Sequence, residues 1–423
     1  MPSINTFNTP NSKASWVTMD GLDLLLNSWQ FGPYFNTDFK DNFGKEFAPG
    51  QTITVPKPQQ YIVRTNLTYV AQALSRPSTS ITLDQVRGVD YEWDSVEKAL
   101  DMERGEERVR EIYNKPAISF IRQSMEVYLA QFAAQNASMV SGALGTNPST
   151  FDTTSGAARQ ALSQMGAPVD NVDLGMFLPA SVIRAVKNSS VAYMNPQTDI
   201  SKQFRTGMIG VADGFDFMSS NSLYIHTAGT WAGAVTVSGA GQSGSSITLA
   251  ATTGDTFKKG DKVSFANVNE INLTSRTATT ATTAAGTKTF TVQADVTAAA
   301  GAATISIQPP ITGPGSQYQN VDALPANGAA LTLWPGTSSP SGKVGKLGVG
   351  MYRDAFLLAM VKLELPKSVE VAAQNQDPDT QLSIRFVRQW DNYRSVMTNR
   401  LDSGVFGCGI GLAEQAAIVI AGS

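Results

Sequence analysis

The chain has 423 residues, 42% of them hydrophobic and 16% charged, with 36 glycines and 20 prolines. That length predicts two or three domains, and the composition reads as globular, light on charge and rich in loops, which excludes a wholly disordered chain. Net charge is −3, from 32 basic and 35 acidic residues, so counterion release from phosphates is a weak driving force and a dedicated DNA-binding role is disfavoured. The one cysteine, Cys408, excludes an intramolecular disulfide framework and a multi-cysteine zinc site, and fits a reducing compartment. Met1 to Pro10 lacks a charged region followed by an apolar stretch, and no run has the length that spans a bilayer, so synthesis in the cytoplasm is expected, with no membrane partner.

From Thr18 to Trp29, Met19, Leu22, Leu25, Leu26 and Trp29 recur at helical spacing, and the helix is expected to end before Gly32 and Pro33. Gly50 to Pro56, then Tyr61, Val63 and Leu67 to Val70, read as strand, with Pro56 and Pro58 marking an edge or bend. Ile81, Leu83, Val89, Tyr91 and Trp93 predict a return pair. Glu92 to Glu111 carries twelve charged residues in twenty, of both signs, and reads as a solvated helical segment. The clearest helix runs from Pro116 to Val140, with Ile118, Ile121, Met125, Leu129 and Phe132 on one stripe, ending before Gly142. Beyond it come a helix at Ala157 to Met165, a strand at Leu174 to Leu178, a helix at Pro179 to Lys187 and a second strand toward Asn221 to His226.

Composition changes at Gly229. From there to Gly342 there are ten charged residues in 114, amid Ala, Gly, Ser and Thr. The pairs Val235/Val237, Ile247/Leu249, Val263/Phe265, Phe290/Val292 and Ile305/Ile307 alternate, predicting short strands of a small all-β barrel or sandwich inserted into an α/β region. Pro309 to Gly342 reads as the exit linker. Tyr352 to Leu365, Leu382 to Val387, Val405 to Ile410 and Ala416 to Ile420 would complete the interrupted domain.

Chemistry is sparse. The single histidine, His226, must serve any Ser-His-Asp or Cys-His arrangement, yet no GxSxG elbow accompanies it. Glu103, Glu106 and Glu107 are interleaved with Arg104, Arg108 and Arg110, which reads as charge compensation rather than a metal cage. Ser341 to Gly350 lacks the order of a phosphate-binding loop. No catalytic residue, cofactor or metal site is assigned. Asp255, Lys258, Lys259, Asp261 and Lys262 are the densest charge of the β module. Gly254 and Gly260 suit a solvated hairpin tip there, which could also form salt bridges to a neighbouring subunit.

SITLAATTGDTFKKGDKVSFANV (Ser246 to Val268), the strand pairs that follow it to Pro309, and SIRFVRQWD (Ser383 to Asp391) carry a resemblance. With the order of parts, the chain resembles the major capsid protein fold of tailed phages, the Hong Kong 97-like or Johnson fold, and is most similar to coat proteins of P22-like podophages with an inserted domain. The resemblance implies an α+β fold with residues 1–49 as amino-terminal arm, 50–101 as an extended two-stranded loop lying over a neighbour, and 102–156 as peripheral domain with its spine helix. It places the axial domain at 157–228, the inserted small all-β barrel at 229–342, and the remaining axial part with a return to the peripheral domain at 343–423. It implies no enzyme but a virion protein whose copies form pentamers and hexamers of an icosahedral procapsid and mature head around double-stranded DNA, contacted non-specifically. Implied partners are a scaffolding protein, a portal protein at one vertex and a possible cement protein, and intersubunit contacts would involve Glu103, Arg104 and Arg108 besides the five charged residues of the β module. A phage tail or decoration protein is the alternative reading, and a hydrolase using His226 a third.

Overall fold

The structure, a computed structural model, describes residues 10–27, 29–38, 52–64, 67–69, 71–72, 74, 77–94, 110–167, 169–170, 174–190, 209–273, 275–276, 278, 287–334, 342–377, 380, 382–412, 414 and 417–422. The chain falls into two compact units, one from Met1–Val55, Ser78–Leu129 and Leu357–Gly409, the other from Pro56–Pro77, Ala130–Phe356 and Ile410–Ser423. The architecture is mixed α+β, as expected, with an inserted β-barrel.

In the first unit, the strands Val371–Gln376, Ser383–Asp391, Val396–Ser403 and Gly88–Asp94 form one antiparallel sheet in that order. Alternation along Ser383–Asp391 buries Ile384 and Phe386, while Arg385 reaches the buried Asp402 at 2.5 Å and Arg400 reaches it at 2.8 Å, so that carboxylate is paired twice. The arm helix, Pro10–Asn27, packs on the first two strands of this sheet and buries Leu22 and Leu25. It starts eight residues before the expected Thr18, with Pro10 in its first turn, where the missing N–H costs nothing. A Cβ on its Gly21 would stand 2.9 Å from Ile118 Cδ1, so a side chain there would have to displace the end of that isoleucine on the long helix. A smaller cluster gathers Val55, Ile81, Leu83, Leu357, Ala359 and Val405 around the paired strands Thr52–Pro56 and Ser78–Thr82.

In the second unit, six strands lie in the order Met139–Gly142, Ala417–Ala421, Val344–Tyr352, Leu174–Leu178, Phe215–Ser219 and Gly210–Ala212, while Ile225–Thr227 pairs the start of Val344–Tyr352. Leu174–Leu178 and Ala417–Ala421 are buried on both faces, which is why they read as continuous apolar runs. The helices Ala157–Gln164 and Ala180–Ser190 bring Ala161, Leu162, Val182 and Val186 to that core.

The insert is a closed barrel. Its strands follow the order Leu331–Leu333, Lys262–Asn269, Thr287–Val292, Ala302–Ile311, Gly244–Ala250 and Thr236–Val237, and the ring closes where Thr236 pairs with Ala330 and Leu331 N–H donates to Val235 O. Closure removes the exposed edges that a small sheet would otherwise present. Inside are Ile247, Leu249, Val263, Phe265, Phe290, Val292, Ile305 and Ile307, the residues singled out by alternation.

Three expectations are corrected. Among the described residues, 61–64 and 67–69 form no strand, and Leu67 and Thr68 lie in a bend. The long helix is Lys115–Asn136, preceded by a π-helical turn at Arg110–Asn114, and Met139 and Val140, expected in its last turn, open the strand Met139–Gly142. The supposed exit linker also contributes barrel strand at its start and near its end, since Ala302–Ile311 runs through Pro309 and Leu331–Leu333 closes the ring. Of the charged Glu92 to Glu111 segment, residues 95–109 lie outside the described residues. Phe290 is fully buried with its ring 5.6 Å from that of Phe265. Phe290→Ala is therefore expected to lower stability by roughly 3–5 kcal/mol in urea unfolding, whereas an unchanged midpoint would contradict the barrel core.

Candidate functional site

An α-helix leaves its last carbonyls without helical donors. At the end of the long helix these groups are buried among Ala133, Ala134, Gln135, Asn136, Ala137 and Ser138, where an unpaired carbonyl is costly. The insert supplies the donors. Lys262 Nζ donates to Ala134 O at 2.8 Å and also to Ala137 O, Thr291 Oγ1 donates to Ala137 O at 2.9 Å, and Thr289 Oγ1 donates to Ser138 O at 2.7 Å. Gln293 Nε2 donates to Gln135 O at 3.3 Å. A third Lys262 bond, 2.8 Å to Thr291 Oγ1, links the neighbouring barrel strands at the same point. Farther along, Trp334 Nε1 donates to Gly142 O at 2.7 Å, and Asn272 Nδ2 donates to Gln164 O at 2.6 Å.

Asp261 ties the other side. Its carboxylate accepts Gly229 N–H at 3.2 Å and Lys258 N–H at 2.8 Å, and its Oδ1 lies 2.8 Å from His226 Nε2. Burial pushes the Lys262 ammonium down from its ordinary 10.5 to about 7, with Asp261 opposing part of that shift. A third buried cluster holds Lys288 Nζ 2.7 Å from Glu414 and 3.8 Å from Glu270, with Asn320 Nδ2 donating to Glu414 at 3.0 Å. Desolvation raises Glu270 above the usual carboxylate range, against the pull of Lys288.

The solvated tip expected at Asp255 to Lys262 is therefore corrected for Asp255, Asp261 and Lys262, which are buried. Asp255 accepts Ala232 N–H at 2.7 Å and Thr252 N–H at 2.9 Å. Lys258 and Lys259 stay at the surface beside Asp295, which accepts the Lys258 ammonium at 3.0 Å and the Lys259 N–H at 2.7 Å. Glu103, Arg104 and Arg108 lie outside the described residues. The missed signal is a repeated turn. Thr252-Thr253-Gly254-Asp255 and Lys258-Lys259-Gly260-Asp261 both place glycine at positive φ, 98° and 101°, and both aim the aspartate back at the first residue's N–H.

Catalytic chemistry finds little footing. His226 Nδ1 is buried without a hydrogen-bond partner and faces Gly260, where a Cβ would stand 3.2 Å away, so that nitrogen has no nucleophile to activate. Cys408 is buried in the first unit, and burial pushes its thiol up, away from the reactive thiolate. Among the described residues there is no group of three or more His, Cys, Asp or Glu placed to hold a metal, and no helix long and apolar enough to cross a membrane.

Several solved structures are similar. One described as Mycobacterium phage Che8 matches with TM-score 0.44 and 12% identity over 94% of this chain and 93% of that one. The capsid of Ralstonia phage GP4 matches with TM-score 0.41 and 8% identity over 92% and 87%, and the mature capsid of bacteriophage PhiM1 with 0.40 and 11% over 92% and 88%. No curated protein matches. The family model described as "P22 coat protein - gene protein 5" matches residues 74–405, taking in the long helix and the whole insert. The chain belongs to the P22 coat protein family. This coat protein is a major capsid protein: its copies assemble into the icosahedral shell, and its place is the virion.

In the coat protein, Asp261→Ala is expected to cost about 3 kcal/mol or more in urea unfolding, because two N–H groups and His226 lose their partner and Lys262 loses its nearest counter-charge. A loss below 0.5 kcal/mol would contradict the role given to this carboxylate.

Proposed function

We propose that the coat protein forms the pentamers and hexamers of a procapsid that becomes a mature head around double-stranded DNA, and that it works by contact alone, without catalysis. The observation that carries the contact reading is the Lys57–Pro77 excursion. Its base is closed by Lys57 N–H donating to Pro77 O at 2.8 Å, and Gln72 brackets Ile62 through both backbone groups at 2.8 and 2.6 Å. Yet Val63, Leu67, Tyr69 and Leu74 are 84, 98, 82 and 81% exposed. So much apolar surface on one excursion favours a partner, and a second copy of the chain is the partner that a shell supplies at every position. This supports naming residues 50–101 the extended loop, and the proposal takes with it 1–49 as the arm, 102–156 as the peripheral domain, 157–228 with 343–423 as the axial domain and its return, and 229–342 as the insert.

A net charge of −3 suits a wall that confines DNA through non-specific contact. Assembly in the host cytoplasm with a scaffolding protein, a portal ring at one vertex and a possible cement protein completes the proposal. In it, Lys258 and Lys259, beside Asp295, are the surface charges of the insert available to a neighbour.

Expression with the neighbouring phage genes is expected to give closed shells in negative-stain electron microscopy. Val63→Asp with Leu67→Asp is expected to abolish them while leaving the unfolding free energy of the unassembled chain within about 0.5 kcal/mol. Normal shells from the double variant would refute the role given to the loop.

A further inference from the structure

The insert is carried on a stalk. The chain leaves the host sheet at Ile225–Thr227 and returns at Val344–Tyr352, and these are antiparallel neighbours with Thr227 opposite Val344. Both stalk strands reach the barrel beside Asp261 and Lys262. A cavity lies there, lined by Val140, Leu144, His226, Lys262, Leu333 and Trp334, with a volume of about 20 Å³, room for one water molecule. Release of the barrel on its stalk therefore has to break the Lys262 contacts to Ala134 O and Ala137 O.

We propose that Lys262 is a protonation-operated latch between the insert and the end of the long helix: the uncharged amine holds the barrel docked, and the charged ammonium favours its release on the stalk. The proton inventory supports two states. An amine offers two N–H groups, for Ala134 O and Ala137 O, and a lone pair to which the Thr291 hydroxyl can turn from Ala137 O, so each of the three partners keeps a bond to the lysine with no charge buried, at the loss of the Thr291 bond to Ala137 O. An ammonium donates to the same three atoms but carries its charge into a site 6% exposed.

The negative end of the helix offsets part of that cost. The nearest counter-charge, Asp261, is already shared among Gly229, Lys258 and His226. Other titratable groups at the joint are His226 on the outgoing stalk strand, with the Tyr224 ring 5.9 Å from its own, and Lys343 and Lys346 at the returning strand. Asp295 stands beyond the Lys258 turn. The last helical turn and the facing residues Thr289 to Gln293 contribute no titratable side chain.

The direction follows from linkage. With Lys262 near 7 when docked and 10.5 when released, the released state holds the extra proton between those values, so docking strengthens as pH rises through that window and reaches its acid-side minimum below it.

The test is hydrogen exchange of the full, unassembled chain, read as protection factors for residues 130–140 and for Trp334, whose N–H donates to Lys262 O at 2.8 Å. In the wild type, protection at these amides is expected to rise about fivefold from pH 7 to 8 and to keep rising toward pH 10. In Lys262→Met that rise disappears. A flat wild-type profile, or the same slope in Lys262→Met, overturns the proposal. Should Lys262→Met fail to fold, Thr291→Val keeps the lysine and removes one partner. A charged donor loses more than a neutral one when that partner goes, so the rise is expected to begin at lower pH; a profile that stays in place overturns the proposal equally.

Discussion

A helix that ends inside a protein must find donors for its last carbonyls, and in this chain they come from residues more than a hundred positions further on. Lys262, Thr289, Thr291 and Gln293, all on two neighbouring barrel segments, take the carbonyls of Ala134, Gln135, Ala137 and Ser138. The helix can therefore stop at Asn136 and let the chain turn at once into the strand Met139–Gly142, which pairs in parallel with Ala417–Ala421. Without those side chains, the same carbonyls would require water or a longer helix, and either would displace the edge of the host sheet.

This constraint explains what the sequence disclosed and what it withheld. Alternation located the barrel strands, because Val263/Phe265, Phe290/Val292 and Ile305/Ile307 point inward under a period-two rule that tertiary context did not override. The stripe from Ile118 to Phe132 located the long helix but not its end, because the capping donors are remote in sequence. Charge density at Asp255 to Lys262 suggested a surface because charged residues are rarely buried unpaired. The structure buries three of them by giving each aspartate backbone N–H groups and the lysine backbone carbonyls, partners that residue identity does not reveal. The repeated Gly-Asp turn was the one local clue. Tyr61 to Val70 has strand composition, but its described residues, 61–64 and 67–69, have no strand partner in their own protomer, consistent with residues selected for contact with another copy.

The candidate site was legible in its outline and not in its chemistry. The order of elements and the Ser246 to Val268 segment led to the family, while the residues that join insert to host had no signature beyond ordinary lysine, threonine and glutamine. A shell subunit needs many modest contacts and no pocket, so its functional residues are those that fix where elements end and which surfaces remain open. In the coat protein, the insert fixes the end of the long helix, and the apolar Lys57–Pro77 excursion is a surface left open among the described residues.

The most direct measurement replaces Thr230–Ser341 by an Asn-Gly turn, which the adjacent stalk strands can accept as a hairpin, and follows hydrogen exchange at residues 130–142. Loss of protection there, with protection retained at the buried strand Leu174–Leu178, is the result this account predicts. Full protection at residues 130–142 in a normally assembling chain would contradict it, since the helix end would then need no donors from the insert.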